Sequence, residues 1–117
     1  MKQKAYKKLL AWQKADALAF QVYLTTRSFP KEERYGICSQ LRRSALSVPA
    51  NIVESNGRQN LKERKQFFNI ALGSLAETEY FLEFCLRLGY IDSAKYDELE
   101  KLRDETGGLL WKLYHSL

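Results

Sequence analysis

Apolar positions along this chain recur at steps of three and four rather than two, so helices are expected throughout and no segment alternates as a strand does. Ala11, Ala15, Leu18, Val22 and Thr25 form one stripe, widened by Trp12, Phe20 and Tyr23, which predicts a first helix over about residues 6–27. Ser28-Phe29-Pro30 ends it, and Pro30–Arg34 reads as a short turn. A second helix, about 35–57, carries Ile37, Leu41, Ala45, Val48 and Ile52 on a core face. Beside that face runs a second apolar strip of Cys38, Leu46, Pro49 and Val53. Pro49 removes one backbone bond and crowds the carbonyl of Ala45, so a kink is expected there. Gly57 closes this helix, and Asn60 with Glu63 reads as the capping box of a third, about 61–88. Its expected core face is Phe67, Ala71, Leu75, Thr78, Leu82 and Cys85. Gly89 stops it, Asp92 caps a fourth helix of about 93–115, and Leu99, Leu102, Thr106, Leu109 and Leu113 face inward. The architecture expected is an all-α, antiparallel up-and-down four-helix bundle with short loops, one domain over residues 1–117.

The second helix also carries a polar line: Gln40, Arg43, Ser47, Asn51, Glu54 and Arg58, again three or four apart. A solvated face is usually rich in lysine and glutamate. Amides, small hydroxyls and arginines instead suit fixed hydrogen bonds. In an antiparallel hairpin turning near residues 59–60, residues whose numbers sum to roughly 120 oppose each other. Arg43 then meets Glu77, Ser47 meets Gly73, and Asn51 meets Asn69. The line therefore reads as structural: a buried or half-buried Arg43–Glu77 pair, with small residues at 47 and 73 allowing close approach. The paired glycines Gly107-Gly108 fit either a close helix neighbour or a bend.

The segment SQLRRSALSVPANIVESNGR resembles the central motif of four-helix-bundle proteins encoded within intervening sequences of bacterial 23S ribosomal RNA genes. The resemblance extends through Trp12, Ala15, Leu18 and Tyr23, the FPKEERYG segment, and IALGSLAETE. Two positions depart from the pattern: Ser44 stands where alanine is usual, and Ser55-Asn56 replaces a small residue plus glycine. The resemblance implies the bundle fold and assembly into rings of five subunits. It also implies kinship with an accessory protein of diversity-generating retroelements.

Composition narrows the function classes. The chain has 45% hydrophobic and 28% charged residues and two prolines, as a globular helical protein does. No apolar run approaches the roughly 20 residues that span a bilayer, and no secretory signal follows the basic N-terminus. Cys38 and Cys85 sit at apolar helical positions, as buried reduced thiols of a cytoplasmic protein would. The net charge of +5 is unevenly spread. Residues 1–65 hold 14 Lys/Arg against 5 Asp/Glu, a net +9; residues 66–117 hold 5 against 9, a net −4. Such a dipolar chain can pair its own halves or present a basic surface to a polyanion.

Chemistry finds little footing. The single histidine, His115, lies near the C-terminal end, no Glu-x-x-His pair is present, and neither a Cys/His cluster nor a phosphate loop appears. No catalytic residue, metal, cofactor, small-molecule substrate or membrane partner is expected. Two readings follow. In one, Lys4, Lys7 and Lys8, with Lys2, join Lys62, Arg64 and Lys65 at one end of the bundle and contact RNA or DNA phosphates. In the other, the strip Cys38, Leu46, Pro49 and Val53 drives self-assembly into a homo-oligomer, and nucleic acid plays no part.

Overall fold

The computed structural model describes residues 4–117, so Lys2 lies outside the described residues. Four helices carry the chain: α1 (Leu10–Thr26), α2 (Ile37–Asn56), α3 (Leu61–Leu88) and α4 (Ser93–Ser116). Short 3-10 turns occupy Ala5–Lys8 and Lys31–Glu33. α1 packs on α2 and α4, and α3 packs on the same two helices. Among the described residues the helices make no close backbone approach along either diagonal, so the section is a square of antiparallel neighbours. The core is built mostly from the expected stripes, Leu18 and Val22 of α1, Leu41, Val48 and Ile52 of α2, Leu75 and Leu82 of α3 and Leu99 of α4, but on α4 Leu110, not the expected Leu109, is the fully buried leucine.

The helix ends follow their caps. Asn60 accepts from the Glu63 amide at 3.1 Å and Asp92 from the Lys95 amide at 2.8 Å, each filling one orphan donor of a first turn. α3 stops at Gly89, whose φ of 76° only glycine adopts cheaply. The Tyr90 amide reaches back to Cys85 O and the Gly89 amide to Leu86 O, both at 3.0 Å, closing a Schellman motif.

α1 departs from expectation at its start, where the helix begins at Leu10 instead of Tyr6. Leu9 is extended, and Tyr6 folds back to meet Trp12 edge-on at 5.1 Å. Gln13 donates to the Lys7 carbonyl at 2.9 Å, offsetting the helical bonds lost there. α3 is rotated by one position at its start: Phe68 is buried, while Phe67 lies at the margin under the Arg58 guanidinium, 5.2 Å from its ring centroid. α2 is helical without interruption through Pro49. α4 likewise runs through Gly107-Gly108, where added Cβ atoms would meet at most the tip of Arg103 at 3.9 Å. Close helix approach therefore does not explain those glycines.

Candidate nucleic-acid interface

The polar side chains of α2, the expected line together with Ser44 and Ser55 beside it, form two layers. The inner layer, wholly or partly buried, faces α3. Thr78 donates to Ser44 Oγ at 2.9 Å, Ser74 to Ser47 Oγ at 2.9 Å, and Ser55 to the Arg64 carbonyl at 3.1 Å. These pairs sum to 119–122, close to the expected register. Asn51 turns back along its own helix and donates to the Ser47 carbonyl and hydroxyl at 2.8 and 2.9 Å, so it does not reach Asn69. Gly73 is exposed with no atom within 4 Å of an added Cβ, and Ser74 instead faces Ser47. Close packing at this seam therefore comes from serine against serine.

The outer layer is wet. Arg43 meets Glu77 at 2.8 Å, and with the two side chains 51% and 45% exposed the expected buried or half-buried pair is at most half-buried, at the wet edge of the seam. Arg43 also engages Gln40, at 3.2 and 3.3 Å. Glu54 and Arg58 bond one another along α2 at 3.1 Å. Exposure changes the energetics: removing one partner of a buried pair costs about 3–5 kcal/mol, whereas an exposed pair is worth under about 1 kcal/mol.

The expected assembly strip divides in the same way. Cys38 and Pro49 are buried inside the bundle and Val53 is half-buried, which leaves Leu46 alone at 49% exposure. Only side chains pointing away from α1 and α3 remain available, and a helix of this width buries two of its sides. Leu46 instead joins α1: with Asp16, Ala19, Phe20 and Tyr23 it lines a shallow recess of about 250 Å³, and Phe20 is 63% exposed.

The six candidate phosphate contacts share one end of the bundle. Arg42 Nε donates to Thr26 Oγ1 at 2.7 Å, setting an antiparallel register between α1 and α2 whose sums are near 68. The Ala5–Lys8 turn, which packs on both helices, is thus level with the loop into α3. Lys4, Lys8 and Lys62 are exposed, and Lys7, Arg64 and Lys65 are partly covered. None of the six pairs with a carboxylate among the described residues. Arg64 differs from the others because its Nε is buried without a partner and its backbone carbonyl serves Ser55. Its role is partly architectural.

A second cationic surface, missed from the sequence, lies where α1 ends and α2 begins. Tyr23, Arg34, Tyr35, Ser39, Arg42 and Arg43 line a shallow recess of about 370 Å³. Arg42 lies over the Tyr23 ring at 4.8 Å and Arg34 over the Tyr35 ring at 5.6 Å. The signal was present: arginines at 34, 42 and 43 return after two helical turns. Assigning Tyr23 to the core stripe hid it.

Negative charge collects on α3 and α4. Arg103 reaches Glu100 at 2.6 Å, Glu79 at 2.7 Å and Asp104 at 3.7 Å, and its hydrogen bond to Glu100 raises its pKa against the opposing effect of burial. Burial pushes the Cys85 thiol up to about 12, with Glu33 and Cys38 adding to the shift, so Cys85 stays protonated and is no nucleophile near neutral pH. Among the described residues no three His, Cys, Asp or Glu side chains gather as metal ligands, and no helix is long and apolar enough to cross a membrane.

Comparison with known proteins agrees with this architecture. The family model described as 23S rRNA-intervening sequence protein matches residues 7–112. A crystal structure from Bacteroides thetaiotaomicron, described as a protein with unknown function from the S23 ribosomal protein family, superposes with a TM-score of 0.83. The two sequences are 27% identical, over 91% of this chain and 96% of that one. No curated protein matches the chain.

Proposed function

The chain belongs to the 23S rRNA-intervening sequence protein family, and from that premise we propose that it is a non-enzymatic, oligomeric accessory protein of the cytoplasm that binds RNA or DNA through phosphates. One observation carries the reading. Six cations stand at one end of the bundle, unpaired with carboxylates among the described residues, while on α3 and α4 Glu79, Glu100 and Asp104 are held by Arg103, and Glu77, Glu98 and Glu105 pair with Arg43, Lys95 and Lys14. A cluster of unpaired cations supports phosphate contact without base reading.

Binding through several such contacts falls by orders of magnitude between about 50 and 200 mM salt. Replacing Lys4, Lys8, Lys62 and Lys65 together by glutamine is expected to abolish binding with helicity unchanged, because none of the four holds the core. Arg64 is left in place because part of its side chain is buried. Retention of full affinity in the four-fold variant would exclude this patch.

A specific observation favours self-association as well: Phe20 and Leu46, both well exposed, flank one recess on the α1–α2 face. That face, rather than the Cys38–Pro49 strip, is the proposed subunit interface, with a five-membered ring as the expected assembly. Light scattering of Phe20→Glu should give a mass near the 13.7 kDa of one chain, and the unaltered protein several times that.

A further inference from the structure

The lysine-rich end needs no aromatic group, yet the most exposed of the large hydrophobic side chains among the described residues is aromatic and lies at the other end of α1. Tyr35 is 87% exposed, and the Arg34 guanidinium covers its ring at 5.6 Å. Across the recess Arg42 is held rigidly: its Nε donates to Thr26 Oγ1 at 2.7 Å, its Nη2 to the Tyr23 carbonyl at 3.4 Å, and its plane lies over the Tyr23 ring at 4.8 Å. Among the described residues only Arg43 of these arginines meets a carboxylate, that of Glu77. The acid that precedes Arg34, Glu33, is taken by the Tyr90 hydroxyl at 2.7 Å. Two flat rings, each beside a flat cation, form a surface that rewards a planar π partner carrying negative charge.

The geometry points to the recess of Tyr23, Arg34, Tyr35 and Arg42 as a stacking and phosphate-binding site for an unpaired nucleotide of single-stranded RNA or DNA. It rests on the nucleic-acid reading above. Tyr35 supplies a free ring face for a base, and Arg34 and Arg42 supply donors for the adjoining phosphates. A duplex covers its base faces with neighbouring pairs and offers this site phosphates alone. The recess stands roughly 20 Å along α1 from the lysine-rich end, so a flexible strand lying on both would gain from each.

The test is fluorescence anisotropy of the full chain with oligouridine and oligothymidine of about 20 nucleotides, and with a duplex of equal length, at about 50 mM salt. Tyr35→Ala is expected to weaken both single strands about 5- to 150-fold, the range produced by losing one base–aromatic stack, and to leave the duplex unchanged. Tyr35→Phe should bind as the unaltered protein does. Arg34→Gln should reduce the salt slope for single strands by about one. Circular dichroism should be unchanged, because Tyr35 packs on nothing that holds the fold. Equal weakening of duplex and single strand, or no weakening, overturns the proposal. So does a fall in assembled mass for Tyr35→Ala with binding intact, which would make the recess a contact between copies. Loss of binding in the four-lysine variant with Tyr35→Ala neutral removes the recess and keeps the lysine patch. The reverse result keeps the recess and removes the patch, and no binding by the unaltered protein removes both.

Discussion

The seam between α2 and α3 and the seam between α1 and α4 join antiparallel helices in the same bundle by different means. Between α2 and α3, buried hydroxyls bond across the seam at two levels, Ser44–Thr78 and Ser47–Ser74, and Ser55 adds a third to the Arg64 carbonyl. On α4 the buried hydroxyl of Thr106 bonds its own helix, at the Leu102 carbonyl, 2.7 Å away. The polar contact recorded across the α1–α4 seam among the described residues is Lys14–Glu105, 2.9 Å, at the wet rim. A groove of about 300 Å³ remains open at its end between Leu9–Ala11 and Leu109–Ser116. Directional bonds specify one register, whereas apolar contact tolerates sliding and imperfect fit. The first seam therefore sets the alignment of the bundle, and the second closes it.

The largest expected effect comes from crowding the first seam. Ser44 is fully buried against Thr78, and Ser44→Leu would force several added carbons into a space sized for a hydroxyl. Overpacking costs about 1–3 kcal/mol and the lost hydrogen bond about 1 more, so a loss of about 2–4 kcal/mol is expected. Urea unfolding should show a lower midpoint at an unchanged slope. A loss under about 1 kcal/mol would mean that the seam can give, and the contrast with α1–α4 would fail.

The same contrast explains what could be read from the sequence. Helix count, caps and register followed from periodicity and from Asn60, Gly89 and Asp92, since those signals are local. Among the residues behind the family resemblance, Ser47, Ser74 and Thr78 line this seam. Even the two departures, Ser44 and Ser55, are buried and bonded. A strong family pattern thus reported architecture. Exposure was harder to read: one residue of uncertainty, about 100° around a helix, exchanged Phe68 for Phe67 and Ser74 for Gly73, and Pro49 is buried in the bundle where an assembly contact was expected. The arginine–tyrosine recess was hidden because it forms only when the end of α1 meets the start of α2, a non-local event.

A gain is expected on the open side of α4. Gly108 lies mid-helix on α4, exposed, with nothing within 4 Å of an added Cβ. Alanine there loses no contact and removes backbone freedom from the unfolded chain, so Gly108→Ala should raise stability by about 0.5–1 kcal/mol. Thermal unfolding should move upward by several degrees for a domain of this size. A fall would mean that α4 uses glycine for a bend.

The smallest effects belong to the rims, where the seams should become alike. Arg43–Glu77 borders α2–α3 and Lys14–Glu105 borders α1–α4, and in both pairs more than a third of the lysine or arginine side chain is in water. Arg43→Ala should cost under about 1 kcal/mol and leave any assembly intact. A larger loss would show that the polar line matters beyond its inner layer. Lys14→Ala should also be mild, and pH separates its electrostatic part from lost packing. The hydrogen bond from Lys14 holds the Glu105 carboxyl below the usual carboxylate range. A lowered folded-state pKa stabilises above the unfolded value, about 4.3, and that contribution fades as pH falls through the folded value. The midpoint difference between Lys14→Ala and the unaltered protein should therefore be constant near neutral pH and shrink below about pH 4. A difference independent of pH down to about 2 would assign the whole effect to the aliphatic stem of Lys14 lying along the seam.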